Sequence, residues 1–438
     1  MRGANIIDLA ELSAEARARL MQRAEHDLSG LMDPVRAIAE RVAASGDKAV
    51  AELGREIDGA PLAPERLFAT EQEFEEAEAL VEPEVKAAIE EAVRNIRHFH
   101  EKQLPAPMWL EEIRPGAFAG ERHLPIPSVG CYVPRGKGAF PSVVMMTTIP
   151  AVVAGVPEVV ILTPPTPEGG VDAASLVAAR RVGVSRVYKA GGAVAVAAAA
   201  HGTYSLPRLA KIIGPGSPWL VAAKKHLADR IDTGLPAGPS ESIILADEHA
   251  NPEIAALDLL IEAEHGPDSS AFLVTPSRRV AEAAARVLPD LWARMGEQRV
   301  GFSQAVLSGS RGGILVARDL DDAIAFVNEY APEHLEILAK EPMALMNRIV
   351  NAGEILLGEN TPIVIANFVL GPDAVLPTGG HARTWSPLSV FDFLKRTGIG
   401  YATREGYDRL AEPARRLARY EGFDAHANAI ELREHYRR

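Results

Sequence analysis

The sequence predicts an α/β fold of two incomplete Rossmann-like, parallel-sheet domains, with a helical N-terminal arm and a helical C-terminal tail. Short β-rich runs alternate with alanine-rich amphipathic runs from about residue 128 onward. Glycines follow several of the β-rich runs, as in Gly191-Gly192 and Gly214-Pro215-Gly216. The two ends of the chain lack this alternation. Repeated strand–loop–helix units are typical of a parallel, doubly wound sheet.

The first hundred residues are predicted to be mainly helical. Residues 1–28 are polar and form the arm, for which Ser13 is a suitable N-cap. Asp33-Pro34 is a good helix start, an N-cap followed by proline at the first helical position, and Gly46 is expected to end that helix. Glu82-Pro83 starts another helix, in which apolar residues recur at helical spacing.

The strand–helix units divide into two sets. One set, residues 129–241, is predicted to form a Rossmann-like domain that we call the second; residues 158–163 are one of its predicted strands. Residues 29–128 and 242–388 together form the first Rossmann-like domain. Residues 389–438 are charged and are predicted to form the helical tail.

Composition excludes several classes of function. The chain has 438 residues, a formal net charge of -13 and 47% hydrophobic residues, which indicates a globular protein of two or three domains without a nucleic-acid or anionic-membrane partner. Its first residues lack the basic and apolar regions of a signal peptide. The most apolar window, 143–162, is interrupted by Pro150 and Pro157, so it is interpreted as core. We therefore expect a cytoplasmic protein.

The strongest chemical signal is the pair Glu262 and His265. They are three residues apart near the end of a predicted helix and therefore share one face, and Gly266-Pro267 then ends the helix. A carboxylate and an imidazole in this arrangement make half of a metal site. The alternative is a solvated glutamate beside a histidine at the helix end. Because Cys131 is the single cysteine, any metal must be held by histidine, carboxylate and amide groups.

Other polar groups are open to two interpretations. Glu333-His334 can act as a general base and a proton relay if a turn brings both to one substrate; otherwise they are a surface pair. The glycine-rich loop with Arg135 and Lys137 can bind an anion or be solvated. Cys131 can be a nucleophile, but it has no basic neighbour before Arg135, which favours a buried structural thiol.

Together these motifs resemble the histidinol dehydrogenase family from about residue 30 to the tail. The matching stretches are Tyr132-Val133-Pro134, Pro141-Ser142, Gly191-Gly192-Ala193, Gly214-Pro215-Gly216, Ala237-Gly238-Pro239-Ser240-Glu241, Ala263-Glu264-His265-Gly266-Pro267-Asp268-Ser269, Tyr330-Ala331-Pro332-Glu333-His334-Leu335, Val375-Leu376-Pro377-Thr378, Glu421-Gly422 and Ala425-His426.

The resemblance implies a zinc- and NAD-dependent enzyme that oxidises a primary alcohol to the aldehyde and then to the carboxylate. It also implies an intertwined homodimer in which the tail of one subunit completes the other's site, with residues 129–241 on the NAD side. The implied residues are Glu333 and His334 for catalysis; Glu262, His265, Asn367 and His426 for zinc; Ser240, Glu421 and the position of Ala374 for substrate; and Tyr132, Val194 and Ser217 for NAD.

Three departures from the family pattern affect the expected function. The family has Gln at position 262 and Asp at position 367, so Glu262 and Asn367 exchange the carboxylate and the amide and leave the charge of the ligand set unchanged. We therefore expect a metal to bind. Ala374 stands where the family has a substrate-binding histidine, which argues against histidinol as the substrate. Val194 and Ser217 replace amides that contact the cofactor, so we expect weaker or reshaped NAD binding.

The expected activity is therefore NAD-linked oxidation of a polar or anionic primary alcohol by a zinc enzyme. Relatives that oxidise sulfonated diols suggest a sulfonated or acidic diol as substrate. Arg135, Lys137, His381 and Arg383 lie in or near matched loops and can hold its anionic group. One alternative is histidinol oxidation in histidine biosynthesis. Another is a non-catalytic zinc-binding relative that has kept the fold.

Overall fold

The computed structural model describes residues 3–24, 28–135 and 138–436, and they form two compact units. The first unit comprises the chain up to Gln103 together with Pro127–Phe393, and the second comprises Leu104–Ile126 and Leu394–Arg438. The strands are β1 (Ile6–Asp8), β2 (Met108–Arg114), β3 (Ala117–Pro125), β4 (Ser128–Tyr132), β5 (Glu158–Thr163), β6 (Val187–Lys189), β7 (Lys211–Ile213), β8 (Glu241–Ala246), β9 (Ser270–Thr275), β10 (Gly312–Val316), β11 (His334–Leu338), β12 (Glu354–Leu357) and β13 (Leu394–Ala402).

The helices occur in both units. They are α1 (Ala14–Leu20), α2 (Ser29–Ile57), α3 (Glu71–Leu80), α4 (Pro83–Gln103), α5 (Pro141–Val153), α6 (Ala173–Val182), α7 (Gly192–His201), α8 (Pro218–His226), α9 (Pro252–Ala263), α10 (Arg278–Trp292), α11 (Glu297–Leu307), α12 (Leu320–Tyr330), α13 (Pro342–Met346), α14 (Ile363–Ile365), α15 (Arg404–Tyr420), α16 (Asp424–Glu431) and α17 (Arg433–Tyr436). Among the described residues, no helix is long and apolar enough to span a membrane.

The larger sheet of the first unit is parallel, with the strand order β1-β10-β9-β8-β11-β12. Its four central strands, β10, β9, β8 and β11, are buried on both faces, which explains their nearly continuous apolar sequences. Helices α9, α10 and α11 supply the core on one face. Helix α12 supplies much of the other core. Side chains alternate between the two faces along a strand. On β11, Leu338 therefore packs in the core with α9, α10 and α11, and Leu335 and Ile337 pack in the core with α12.

The smaller sheet of the first unit is also parallel, with the order β6-β5-β4-β7. The buried face of α2 packs here with α7 and α8, through residues such as Val42, Val50 and Ala197. Helices α3 and α4 contact α6, which also belongs to this half of the unit, and α4 contacts α5. The sequence grouping of residues 29–128 with the larger sheet therefore differs from the packing of these helices, because apolar periodicity shows which face is buried but not which sheet covers it.

The second unit contains an antiparallel sheet with the order β13-β3-β2. The predicted helical tail therefore begins with a strand, β13, before helices α15, α16 and α17. Gly398 and Gly400 lie within this strand, and glycine weakens the strand signal in a sequence. Strand β13 pairs with β3, which lies far away in the sequence, so local sequence patterns did not indicate it.

Of the two N-caps predicted in the N-terminal segments, Ser13 is observed, and the prediction that Asp33 caps α2 is wrong. Ser13 accepts a hydrogen bond from the backbone N–H of Ala16 and caps α1, although the predicted helical arm also contains the strand β1. Helix α2 begins five residues before Pro34, and Gly46 interrupts its helical geometry with a φ of 52°. Glycine tolerates this left-handed conformation. Helix α4 begins at Pro83, as its sequence predicts.

Candidate active site

The described residues of the first unit enclose a cavity of about 470 Å³. The N-terminal residues of α8, the end of α9, the start of β11 and the segment after α14 contribute to its walls. Of the residues that the sequence singled out, those that line it are Arg135, Ser217, Ser240, Glu262, His265, Glu333, His334, Asn367 and Ala374. The cavity therefore brings together groups that are far apart in the sequence.

Helix α9 delivers Glu262 and His265 to the cavity. Asn251 caps this helix by accepting hydrogen bonds from two backbone N–H groups, and Pro252 occupies its first position. Glu262 is on the side that packs against the sheet and is 1% exposed, whereas the His265 side chain is 45% exposed. The His265 Nδ1 atom lies 3.2 Å from Glu262 Oε2. The predicted shared face therefore places the two side chains in contact.

Asn367 reaches the same carboxylate from a π-helical turn, Ala366–Leu370, that follows α14. Such turns are rare and occur often at functional sites. The Asn367 Nδ2 atom donates to Glu262 Oε1 at 3.3 Å. Its Oδ1 atom is buried and has no hydrogen-bond partner among the described residues. A buried polar atom without a partner is costly, so this oxygen is suited to a ligand.

These three side chains fit a metal. Carboxylate oxygen, imidazole nitrogen and amide oxygen are donors that hold divalent ions, and zinc accepts carboxylate and imidazole. The unpartnered Asn367 Oδ1 is the observation that supports the fit. The fourth predicted ligand, His426, is an exposed residue of α16 in the second unit, where its ring lies 5.0 Å from that of Phe423.

Glu333 and His334 lie where α12 leads into β11. Ala331, which ends α12, has a φ of 54° and is the one non-glycine residue with positive φ in the described ranges. This sparsely populated conformation costs energy and occurs often at functional sites. Both Glu333 and His334 line the cavity after this turn. The turn that a joint role of Glu333 and His334 requires is therefore present.

The two catalytic candidates form a buried couple. His334 Nε2 lies 3.8 Å from Glu333 Oε1 and 4.0 Å from Glu262 Oε1. Glu333 Oε2 accepts a hydrogen bond of 2.9 Å from the backbone N–H of Glu241. Burial raises the pKa of Glu333 to about 8. Burial alone lowers the pKa of His334, but the nearby carboxylates, led by Glu333 and Glu354, outweigh it and raise this pKa to about 10.

Gly353 allows β12 to approach this couple. A Cβ atom at this position would lie 2.5 Å from the backbone oxygen of Glu333. Gly353→Ala is therefore expected to lower the free energy of unfolding by about 1–3 kcal/mol. In the control, Gly301→Ala, the new methyl meets no atom within 4 Å on α11, so this change should raise that free energy by about 0.5–1 kcal/mol. Urea unfolding measures both, and equal effects would contradict the prediction.

The three predicted NAD contacts have different environments. Ser217 is the N-cap of α8, makes no side-chain cap hydrogen bond and lines the cavity. Tyr132 is buried, and its hydroxyl accepts a hydrogen bond of 3.0 Å from the backbone N–H of Gly192. Burial raises the pKa of Tyr132 to about 12. Val194 is buried within α7. Of the three, Ser217 alone lines the cavity within the described ranges.

The predicted substrate contacts are likewise divided. Ser240, Arg135 and Ala374 line the cavity, and Arg135 is exposed and donates to the backbone oxygen of Pro165 at 3.2 Å. Glu421 is exposed at the end of α15 in the second unit.

The predicted basic set does not surround one cavity. His381 lines a neighbouring cavity of about 660 Å³. The guanidinium group of Arg383 donates to the backbone oxygens of Gly380 and Glu329. Lys137 lies outside the described residues. Of the three described residues in this basic set, only Arg135 lines the cavity and can bind an anionic group there.

Cys131 is fully buried on β4, and its thiol donates to the backbone oxygen of Thr147 at 3.3 Å. Burial raises the pKa of this thiol far above its usual range. We expect maleimide to label the native protein very slowly and the urea-unfolded protein to completion, as measured by mass spectrometry. Cys131→Ala should leave turnover within about twofold, because an inert buried thiol has no part in the chemistry. Rapid labelling of the native protein, with loss of activity, would contradict this.

Comparison with known proteins identifies the family. A sequence model of the histidinol dehydrogenase family matches residues 21–434. This chain belongs to the histidinol dehydrogenase family. A histidinol dehydrogenase homolog from Cereibacter sphaeroides is 61% identical over 423 residues, which cover 96% of each chain. A histidinol dehydrogenase from Synechocystis sp. is 49% identical over 429 residues, 98% of this chain and 99% of that one.

A solved structure of the same family has the same fold. The crystal structure of histidinol dehydrogenase from Elizabethkingia anophelis matches with a TM-score of 0.93 and 29% identity, and covers 99% of this chain and 98% of that one. The family resemblance and the α/β class predicted from sequence are therefore confirmed.

Sequence reasoning missed acidic residues behind the histidinol dehydrogenase-family motifs. Glu241 binds Arg23, with 2.7 Å between Oε1 and Nε, and its backbone N–H supports Glu333. Glu336 and Glu354 are buried on β11 and β12. The sequence does indicate that Glu336 and Glu354 are unusual, because each is a charged residue inside or beside a short apolar strand. Such residues are rarely buried without a partner.

Proposed function

We propose that this protein is a zinc-dependent dehydrogenase that uses NAD to oxidise a small polar primary alcohol, other than histidinol, to the aldehyde and then to the carboxylate. The observation that carries the proposal is the convergence of Glu333 and His334 with Glu262, His265 and Asn367 in one cavity. An acid–base couple beside a cluster of metal donors suits the alcohol oxidation that the family resemblance implies.

We propose separate roles in the oxidation for the metal-binding residues and for the two bases. Glu262, His265, Asn367 and His426 would hold zinc, which would supply a Lewis acid, and NAD would supply the hydride acceptor. His334 would take the proton of the alcohol on Nε2, which faces Glu262 and Glu333. A cation held at Glu262 would offset the carboxylates that raise the pKa of His334 and would so leave Nε2 free to act as this base. Glu333, whose pKa is raised to about 8, then removes a proton from the water that adds to the aldehyde.

The α8 end of the cavity supports a place for NAD. Pro215, Gly216, Ser217 and Pro218 line the cavity there, and the hydroxyl of Ser217 makes no cap hydrogen bond. A helix N-terminus favours negatively charged groups. We propose that the cofactor binds along this end, with contacts that differ from the family pattern at Val194 and Ser217.

Two residues define the proposed substrate class. Ala374 lines the cavity where the family resemblance places a histidine, so the side-chain partner expected for histidinol is missing. Arg135 lines the same cavity and is exposed. We propose a substrate whose anionic end, such as a sulfonate or carboxylate, binds the guanidinium of Arg135. A sulfonated or acidic diol fits this description.

The second unit supports the proposed homodimer. Its strand β2 exposes Met108, Trp109 and Ile113, and large exposed apolar patches often mark protein contacts. His426 and Glu421 are also exposed in this chain. We propose that these two residues complete the site of a second subunit, as the family resemblance implies.

The experiment that tests the function is a screen of NAD reduction by zinc-loaded protein. Protein purified without chelator is analysed for metal and then assayed with sulfonated diols, acidic diols, amino alcohols and histidinol. We expect one zinc ion per subunit, fastest turnover of an anionic diol, and two NADH for each molecule oxidised. Faster turnover of histidinol would refute the substrate class. Absence of NAD binding by calorimetry in the metal-loaded protein would support a non-catalytic zinc-binding protein instead.

A further inference from the structure

The second ring nitrogen of His334 has a partner that neither the motifs nor the family resemblance pointed out. His334 Nδ1 lies 2.5 Å from Oε1 of Glu354. Both side chains are buried, with exposed fractions of 4% and 7%. A hydrogen bond between an imidazole and a carboxylate is among the stronger ones in proteins, and it strengthens where water is excluded.

The register of the sheet creates this contact. Strands β11 and β12 are parallel, and His334 is the direct neighbour of Glu354 across them. Side chains of paired residues in a sheet point to the same face. The close approach of β12 at Gly353, and the backbone hydrogen bond of 3.0 Å from Glu354 N–H to the oxygen of Glu333, hold the two strand starts together.

The contact determines which nitrogen of His334 faces the cavity. Because the Glu354 carboxylate accepts the hydrogen bond, Nδ1 carries the hydrogen. Nε2 therefore faces Glu262 and Glu333, at 4.0 Å and 3.8 Å. With its hydrogen kept on Nδ1, the ring can exchange a proton with the substrate only through Nε2. The orientation and the tautomer both suit a base at Nε2.

The other neighbouring carboxyl groups do not share this relation. Glu336 lies two residues further along β11 and is fully buried, and burial and the neighbouring carboxyl group of Asp258 on α9 raise its pKa to about 10. Among the described residues, the Oε2 atom of Glu354 has no hydrogen-bond partner. The imidazole of His334 is thus the hydrogen-bonding partner that the structure gives to the Glu354 side chain.

We propose that Glu354 is a positioning residue for the oxidation: it holds the His334 ring with hydrogen on Nδ1 and with Nε2 turned toward Glu262 and Glu333. This inference rests on the proposed base role of His334. The alcohol loses its hydroxyl proton to Nε2, the Nδ1 hydrogen stays in the bond to Glu354, and the hydride goes to NAD. The logic is that of the carboxylate–histidine pair in serine hydrolases.

The first test compares Glu354→Gln with Glu336→Gln in zinc-loaded protein. Each change replaces a buried carboxyl with an amide of nearly the same shape, but only the first touches His334. We expect kcat to fall about 10²-fold or more in Glu354→Gln with little change in KM, since the orienting carboxylate of a catalytic histidine contributes on this scale. Glu336→Gln should keep kcat within about threefold, because it leaves the hydrogen bond to His334 intact. Equal losses in both variants would overturn the proposal.

The second test does not depend on turnover. A buried hydrogen bond from an imidazole Nδ1 to a carboxylate is expected to produce a deshielded proton resonance in the metal-free protein. This resonance should be present in wild type and Glu336→Gln, and absent in Glu354→Gln and His334→Asn. Its persistence in Glu354→Gln would refute the contact. If the resonance behaves as expected but no alcohol is oxidised by wild-type protein, the proposed function fails and the contact remains.

Discussion

His334→Asn is expected to lower kcat for the oxidised alcohol by about 10²- to 10⁴-fold, the usual contribution of a general base. Asparagine keeps a polar side chain of similar size at the start of β11 but has no group that accepts a proton at neutral pH. The rate of NADH formation with the best substrate of the screen measures the effect. Zinc content, measured in the same preparation, should stay unchanged, because His334 is not one of the expected zinc ligands.

The matched control for this variant is His249→Asn. His249 is a half-exposed residue of the loop before α9, and it does not line the cavity. We expect kcat of His249→Asn to remain within about twofold of wild type, as is usual for a surface substitution away from the site. Unchanged turnover of a genuine substrate by His334→Asn would overturn the base role of His334. Loss of zinc from that variant would instead indicate that the imidazole binds metal.

The second large effect concerns the exchange of carboxylate and amide between positions 262 and 367. Glu262→Gln removes the sole carboxylate from the expected ligand set. Loss of a group that merely supports a metal ligand costs about 10- to 100-fold in affinity, so this change is expected to weaken zinc binding by at least that factor. The double variant Glu262→Gln/Asn367→Asp has its carboxylate at position 367 instead of position 262. It should recover most of the zinc affinity.

Competition with a chromophoric chelator measures zinc affinity in the two single variants and the double variant. The two side chains are in contact, with 3.3 Å between Asn367 Nδ2 and Glu262 Oε1, and residues in contact are expected to show coupled effects. A double variant that binds zinc as weakly as Glu262→Gln alone would show that Asn367 is not a ligand. Wild-type affinity in Glu262→Gln would contradict the expected contribution of the Glu262 carboxylate to zinc binding.

Local features of the sequence determined much of the fold class and part of the site. The cap at Ser13, the start of α4 at Pro83 and the placement of Glu262 and His265 on one face depend on residues within a few positions of each other. Helical periodicity and capping act over that range. The parallel class was likewise predictable, because its alternating strand–helix pattern is written along the chain.

The tertiary structure decided which other residues these local features contact. The left-handed conformation of Ala331 brings Glu333 and His334 to one cavity, and a π-helical turn aims Asn367 at Glu262. The pairing of β11 with β12 places Glu354 against His334. Strand register and helix packing depend on contacts between distant parts of the chain, whose patterns carry no local signal. Thus the sequence by itself determined which chemical groups were available, and long-range packing decided which of them became neighbours.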